Sequence, residues 1–351
     1  MIDETPGRPL PQRESHPAPT LEMVAAAAGV SRATVSRVVN AAPNVSPSIQ
    51  RSVNEAIRRL NYVPNRAARS LVSRRTQVIA LVVPETTAKL FSDPFFATVV
   101  QGVALYLSDT DFTLNMLIAS EMRSEKTRRY LLGGNADGAL VVSHHSGDHS
   151  YDALDLSLPI VYGGRPLVET ADGGESYFVD VDNSAGAAEA TAHLLSTGRS
   201  RIATIAGPQD MPPGHDRLRG WRGTMTEAGL DDSLVEYGDF TPESGAAAMQ
   251  RLFDRGLPID GLFAANDQMA AGAYSVILKR GLRIPEDIAV AGFDNNYFGS
   301  TAVPALTTID QPSLELGRAM AEVLVRRIEG KPVDRVTMMP TTLITRASTA
   351  V

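Results

Sequence analysis

The residues with the clearest chemical purpose lie between Ser31 and Ser46. Two arginines, Arg32 and Arg37, stand among Ser31, Thr34, Asn40 and Ser46 in a stretch short enough to be one helix and its flanks. A guanidinium can donate two parallel hydrogen bonds to the edge of a guanine. Hydroxyl and amide side chains suit the other half of nucleic-acid binding, bonding phosphates and setting register without reading sequence. Ser31, Thr34, Asn40 and Ser46 fit that task. The segment before them, LEMVAAAAGV, reads as a helix closed by a tight turn at Gly29–Ser31. The arginine-bearing segment is then the second helix of a helix-turn-helix, whose N-terminal end faces the major groove.

Other chemistries find no support. The chain has no cysteine, which removes disulfides, thiolate metal sites and a cysteine nucleophile. It has neither a GxxxxGK(S/T) phosphate loop nor a GxSxG nucleophile elbow. No catalytic residue, cofactor or enzyme activity is therefore expected. His144, His145 and His149 cluster in HHSGDH, but their spacing matches no ordinary metal site, and the cluster reads as a solvated polar loop after a strand.

The elements that must position the arginines are legible. Thr20 is a helix N-cap, Gly29 a C-cap, Ser31 the next N-cap, and Ser46 with Pro47 a third cap with proline in the first turn. Val24, Val30, Val35, Val38, Val53, Ile57 and Leu60 can close a small core between three helices ending near Leu60. Residues 61–76 follow as a basic linker. Through Arg75 the chain carries eleven arginines, no lysine and five acids, a local charge of +6, whereas the remainder carries 22 basic and 35 acidic residues, or −13. A basic head on an acidic body suits a local polyanion-binding module.

From Gln77 onward, apolar runs alternate with amphipathic stretches. VIALVV, FTLNMLI, GALVV, RIATIAG, GLFAA and IAVAGF read as strands, and SAGAAEATAHLLST and DQMAAGAYSVILKRG as helices. The fold class expected is α/β: an all-α headpiece, then parallel sheets flanked by helices. About 270 residues of this texture imply two lobes. Such sheets bind ligands beyond the carboxyl ends of their strands, so two facing lobes make a cleft. No run approaches the roughly 20 apolar residues of a membrane span. The first residues are polar and proline-rich rather than a signal peptide, so a disordered tail and a cytoplasmic protein are expected.

AGVSRATVSRVVN, followed by VSPSIQRSVNEAIRRLNYVPNRAARSL, resembles the headpiece of the LacI/GalR family of transcriptional regulators. The resemblance continues through VIALVVP, DPFF, VDVDNSAGA, DRLRGW, ANDQMAAGA, GFDN, LTTIDQP and TRAST. It implies a tail at 1–18, a headpiece at 19–62, and a hinge helix with linker at 63–76. It further implies a first lobe of 77–178 with 310–339 and a second of 179–309 with 340–351, a core like that of periplasmic sugar-binding proteins. Arg32, Ala33 and Arg37 fall where the family reads base edges. Ala33 departs from the pattern, since its methyl cannot hydrogen bond, so the operator cannot be taken from a relative. Asn65, Arg66, Ala68 and Leu71 match the hinge helix, with Leu71 as a minor-groove wedge.

Effector positions of the family map onto Phe95, Phe96, Arg217, Asn266, Asp294 and Gln311, with Trp221 near Arg217. Carboxylates, amides and arginine satisfy sugar hydroxyls, and aromatic rings cover apolar sugar faces. Gly164 stands where many members carry an acid, which removes an acceptor and makes room for a disaccharide or longer sugar. The texture is similar to regulators of oligosaccharide uptake of cellobiose or maltose type. The resemblance implies a homodimer on a pseudo-palindromic double-stranded DNA operator, released by a sugar. The alternative is a co-repressor-dependent regulator answering a non-sugar metabolite or a phosphoprotein.

Overall fold

The computed structural model describes residues 19–40, 42–63, 75–118, 124–146, 157–166 and 176–350. Two compact units divide between Arg75 and Thr76.

The first unit contains α1 (Leu21–Ala28), α2 (Arg32–Val39) and α3 (Pro47–Leu60). Each starts at a side chain that accepts a backbone N–H: Thr20 from Met23, Ser31 from Thr34, Ser46 from Ile49. A cap of this kind contributes about 1 kcal/mol. Gly29 ends α1 in the left-handed region at φ 68°. Val24, Val35 and Val53 are fully buried, and Val30, Val38, Ile57 and Leu60 pack around them. Tyr62 completes this core from just beyond α3. The tail 1–18 and the hinge residues Asn65, Arg66, Ala68 and Leu71 lie outside the described residues.

The second unit holds two α/β lobes. The first lobe contains β1 (Val78–Val83), α4 (Thr87–Ser92), α5 (Pro94–Leu107), β2 (Thr113–Ile118), α6 (Ser124–Leu132), β3 (Gly138–Val142), β4 (Ile160–Gly163) and β5 (Tyr177–Val181). The second contains α7 (Asn183–Ser196), β6 (Ile202–Ala206), α8 (Pro212–Glu227), β7 (Val235–Tyr237), α9 (Pro242–Asp254), β8 (Gly261–Ala264), α10 (Asp267–Lys279), β9 (Ala289–Asp294), α11 (Tyr297–Thr301) and β10 (Thr307–Asp310). The chain then returns for α12 (Ser313–Ile328) and β11 (Val336–Met339) of the first lobe, and ends with β12 (Thr342–Ile344) in the second. The six-stranded sheets are ordered β11-β5-β4-β3-β1-β2 and β12-β10-β9-β8-β6-β7.

Two expectations are corrected. The first-lobe sheet extends through Val181 rather than ending at 178, because Val179, Asp180 and Val181 remain buried strand residues and the crossing waits for Asp182, which caps α7. The second sheet also keeps Asp310, paired with Asp294. The sheets are parallel, as expected, apart from one edge, where β12 runs antiparallel to β10. β10 leads out toward the first lobe and β12 comes back from it, so the two neighbours travel in opposite directions.

The return helix α12 packs on α5 through two glycines. A Cβ on Gly102 would lie 2.0 Å from the Leu314 carbonyl oxygen, and one on Gly317 would lie 2.2 Å from that of Val99. Leu316, Met320, Ala321 and Leu324 then join Ile79, Leu81 and Leu140 in one apolar cluster. This packing fixes α5, whose first turn carries Phe95 and Phe96. Among the described residues no helix is long and apolar enough to cross a membrane.

Candidate functional site

On the headpiece, Arg32, Ala33 and Arg37 are exposed on α2 while Val35 is buried. At 100° per residue the three exposed positions span an arc of about 140°, with Val35 outside it, about 130° from its middle. One face is therefore free and the other anchored. Arg32 Nε lies 3.1 Å from Glu22 of α1. This contact is solvent-exposed and weak, so it orients the guanidinium without committing it. Ser31 and Ser46 each accept a backbone N–H at a helix start, Thr34 contacts the Ser31 hydroxyl at 2.9 Å, and Asn40 donates to Ser36 at 3.3 Å. Ser31 and Ser46 thus stand at helix N-termini, where backbone dipoles favour anions.

The second site is an open cavity between the two lobes. Phe95, Phe96, Gly164, Arg217, Asn266, Asp294 and Gln311 all line it. Arg217, on α8, is its centre and is only 4% exposed. Its Nε donates to Asn183 Oδ1 at 2.9 Å. Nη1 donates to the Ala265 carbonyl at 2.6 Å and to Asp294 Oδ1 at 3.2 Å, and Nη2 to Gln311 Oε1 at 3.4 Å. Its guanidinium lies 3.6 Å from the centroid of Phe293, a cation–π contact. Gln311 donates to the same Asp294 oxygen at 2.8 Å. One arginine therefore gathers the ends of α7, β8, β9 and β10, where each parallel strand or following helix meets the cleft.

Burial pushes the Asp294 carboxyl well above the usual carboxylate range, with Arg217 opposing and Asp267 and Asp93 adding to it. Burial likewise raises Asp93 and Asp180, which also line the cavity. Asp180 is held by the backbone N–H of Arg165 and Val181 at 2.8 Å each, and by Asn183 at 3.1 Å. Behind the wall, burial pushes Asp267 up to about 7, while the Thr308 hydroxyl and the Asn296 N–H hold it down. Asp294 and Asn295 have positive φ, 107° and 56°, so the loop that presents the carboxylate is a strained turn tied down by Asp267. Asn266 caps α10 through its oxygen and donates to the Phe240 carbonyl. Its amide orients the wall as much as it faces the cavity.

Two expectations change here. Trp221 does not line the cavity. It is fully buried in the apolar cluster with Leu194, Phe263 and Phe293, because four residues beyond Arg217 place it on the same face of α8 but about 6 Å further along the helix, beneath the cleft wall. The histidine loop is not simply solvated. His144 is 8% exposed, packs edge-on against Tyr162 at 5.3 Å and lines the cavity, and His145 pairs with Asp210 and Glu85. His149 lies outside the described residues. Gly164, at φ 100°, has room beside it: a Cβ there would meet only His144, at 3.8 Å.

Sequence reasoning passed over Lys89, Asp93, Asp180, Asn183 and Phe240. Asp93, Asp180 and Asn183 sit inside DPFF and VDVDNSAGA, so their motifs pointed to them, whereas Lys89 and Phe240 lie in no motif. Phe240 supplies a ring at 5.9 Å from the Arg217 guanidinium.

Comparison with known proteins bears on both sites. Residues 20–65 match the model for bacterial regulatory proteins of the lacI family, and residues 191–349 match that for a periplasmic binding protein-like domain. The chain is 47% identical over 335 residues to the HTH-type transcriptional regulator CelR of Thermobifida fusca, covering 94% of this chain and 98% of that one. It is 34% identical to the ribose operon repressor of Halalkalibacterium halodurans, covering 94% and 97%. Among solved structures, a complex of the transcriptional regulator CelR with cellobiose superposes with a TM-score of 0.74 at 45% identity, covering 94% of this chain and 99% of that one. The lac repressor dimer bound to operator and an anti-inducer superposes with a TM-score of 0.84 at 26% identity, covering 95% and 100%.

Proposed function

The chain belongs to the lacI family of bacterial regulatory proteins, and from that premise we propose that it is a DNA-binding repressor of carbohydrate uptake or utilisation genes, released from its operator by a disaccharide of the cellobiose class. The observation that carries the effector half is the Arg217 cluster. A buried guanidinium, stacked on Phe293 and bonded to Asn183, Asp294 and Gln311, presents fixed donors and acceptors to a cavity that also offers Phe95 and Phe96. That combination suits a ring with hydroxyls at its rim and an apolar face. The likeness to a regulator solved with cellobiose supports the same class of ligand.

On the DNA side, Arg37 and Arg32 read base edges, Ala33 offers a methyl contact, and Ser31, Thr34, Asn40 and Ser46 hold phosphates. Asn65, Arg66, Ala68 and Leu71 serve the minor groove at the operator centre. The protein works in the cytoplasm as a homodimer, its two headpieces matching two half-sites. Sugar held between the lobes favours the arrangement that binds DNA less well, and the shift cannot exceed the difference in its affinity for the two states.

The test is fluorescence anisotropy of the full chain on DNA from beside its own gene, at fixed salt because phosphate contacts make affinity steeply salt-dependent. Binding that cellobiose abolishes supports the proposal. Binding that a sugar leaves untouched and another metabolite strengthens replaces it with co-repression.

A further inference from the structure

Outside the Arg217 cluster, one chain of charged side chains crosses between the lobes. It begins at Lys89 on α4, which lines the cavity and whose Nζ lies 2.8 Å from Glu85 Oε1. Glu85 is 7% exposed, and the same oxygen accepts from Ser143 Oγ at 2.7 Å and lies 3.4 Å from His145 Nε2. The other ring nitrogen of His145, Nδ1, is 2.7 Å from Asp210 Oδ2. Lys89, Glu85, Ser143 and His145 belong to the first lobe, and Asp210 to the second, on the loop between β6 and α8. The backbone repeats the crossing one residue on, where the Ser146 N–H donates to the Asp210 carbonyl at 2.8 Å.

The residues beside these contacts face the ligand space. Ser143 and His144 line the cavity from one lobe, and Met211, Pro212 and Pro213 line it from the other. The His145 side chain is 15% exposed and that of Asp210 54%, so the crossing lies at the solvent margin of the cleft. A sugar that enters or leaves there must part these loops. A further ion pair spans the lobes nearby, Arg165 to Asp216 at 2.8 Å.

We propose that Lys89 is a ligand-binding residue and that Glu85, His145 and Asp210 are positioning residues, which couple Lys89 to lobe closure by holding the cleft margin shut across the His145–Asp210 pair. Glu85 is the shared element. It aims Lys89 at the cavity and orients the imidazole that reaches the other lobe, so a change at either end is felt at the other. The charge state agrees with the geometry: buried Glu85 first, and Asp210 after it, raise His145 to about 9 against the effect of its own burial. The bonds from His145, Lys89 and Ser143 bring Glu85 below its ordinary value although burial alone raises it. This assignment rests on reading the cavity as the effector site.

The absence of cysteine allows two labels to be placed freely. Asp109→Cys in the first lobe and Glu227→Cys in the second, both at exposed positions, carry spin labels in the full chain. Inter-lobe distances are measured without sugar and with cellobiose, and cellobiose release is followed by stopped flow. Asp210→Asn and His145→Gln are expected to broaden the sugar-free distance distribution. They are also expected to speed release about tenfold, equivalent to about 1.4 kcal/mol, with a smaller change in the association rate. Asp210→Glu, which keeps the charge, is expected to recover part of both effects. Lys89→Met is expected to weaken cellobiose binding and, through Glu85, to broaden the sugar-free distribution less than Asp210→Asn does. An unchanged distribution and unchanged release in Asp210→Asn overturn the coupling, and unchanged affinity in Lys89→Met overturns the role of Lys89. If the parent binds no cellobiose, the effector reading fails, while the sugar-free distances still decide the closure contact.

Discussion

Replacing Arg217 with methionine separates the two tasks of the cleft. The substitution keeps an apolar stem near Phe293 but removes hydrogen bonds to Asn183, the Ala265 carbonyl, Asp294 and Gln311. Asp294 is left with a side chain 9% exposed and without its ion-pair partner. Breaking a buried pair from one side costs about 3–5 kcal/mol. Asp294 already sits well above the usual carboxylate range, so it responds by keeping its proton, which places the loss near the lower end, about 3 kcal/mol. For a core of this size that is a fall in Tm of about 6–12 °C. Adding Asp294→Asn removes the stranded acid, keeps an acceptor for Gln311 and recovers part of the loss. Sugar affinity behaves differently. Both variants lack the charged donor, and both bind cellobiose on the order of 100-fold more weakly, about 2.7 kcal/mol. Scanning calorimetry and titration calorimetry on the three proteins check this. A single variant as stable as the parent, or a double variant that regains sugar binding, refutes the view that one arginine both neutralises the wall and reads the ligand.

The remaining predictions probe the margins of the two units. Since His145 is raised from 6.5 to about 9, its contribution is complete below pH 6.5 and is lost as pH rises through 9. Glu85 and Asp210 raise it, and Lys89 acts on Glu85 in turn. With Asp210 half exposed the loss is discounted to about 1–2 kcal/mol, and urea denaturation of the parent and His145→Gln at pH 6 and 9.5 should converge at the higher pH. Parallel behaviour of the two proteins would sink this. Arg37→Ala should weaken operator binding by about 1–3 kcal/mol at fixed salt and relax preference at one base pair in each half-site; equal weakening on all sequences would make Arg37 a phosphate contact. Gly102→Ala should cost about 1–3 kcal/mol, because its Cβ must displace the Leu314 carbonyl. Gly223→Ala, on α8 with nothing within 4 Å of the added carbon, should stabilise by about 0.5–1 kcal/mol. A thermal shift of the same sign for both would show that the α5–α12 approach is not tight.

What could be read in advance, and what could not, follows the range of the interactions. Helix starts at Thr20, Ser31 and Ser46 are local: a hydroxyl captures an N–H three residues away, so the sequence spells the contact. The buried strands β1, β3, β6, β8 and β9 are apolar at nearly every position because both faces are covered, and they were legible for that reason. The edge strands β7, β11 and β12 are short and partly exposed, and carry no such run. The cleft divides along the same line. Arg217, Asn266 and Asp294 stand at the ends of strands or in the turns of strongly patterned helices, and their motifs exposed them. Trp221 shares a motif and a face of α8 with Arg217 but sits one turn further along the helix, inside the apolar core of the second lobe, and proximity in sequence misassigned it. Glu85, His145 and Asp210 meet across 60 and 65 residues, from three loops whose polar composition reads as solvent-facing. No local pattern records that such loops face each other. Only the folded chain shows that a glutamate and an aspartate from different lobes share one imidazole, and it is there, rather than in the motifs the family shares, that this chain's own control over its ligand is to be sought.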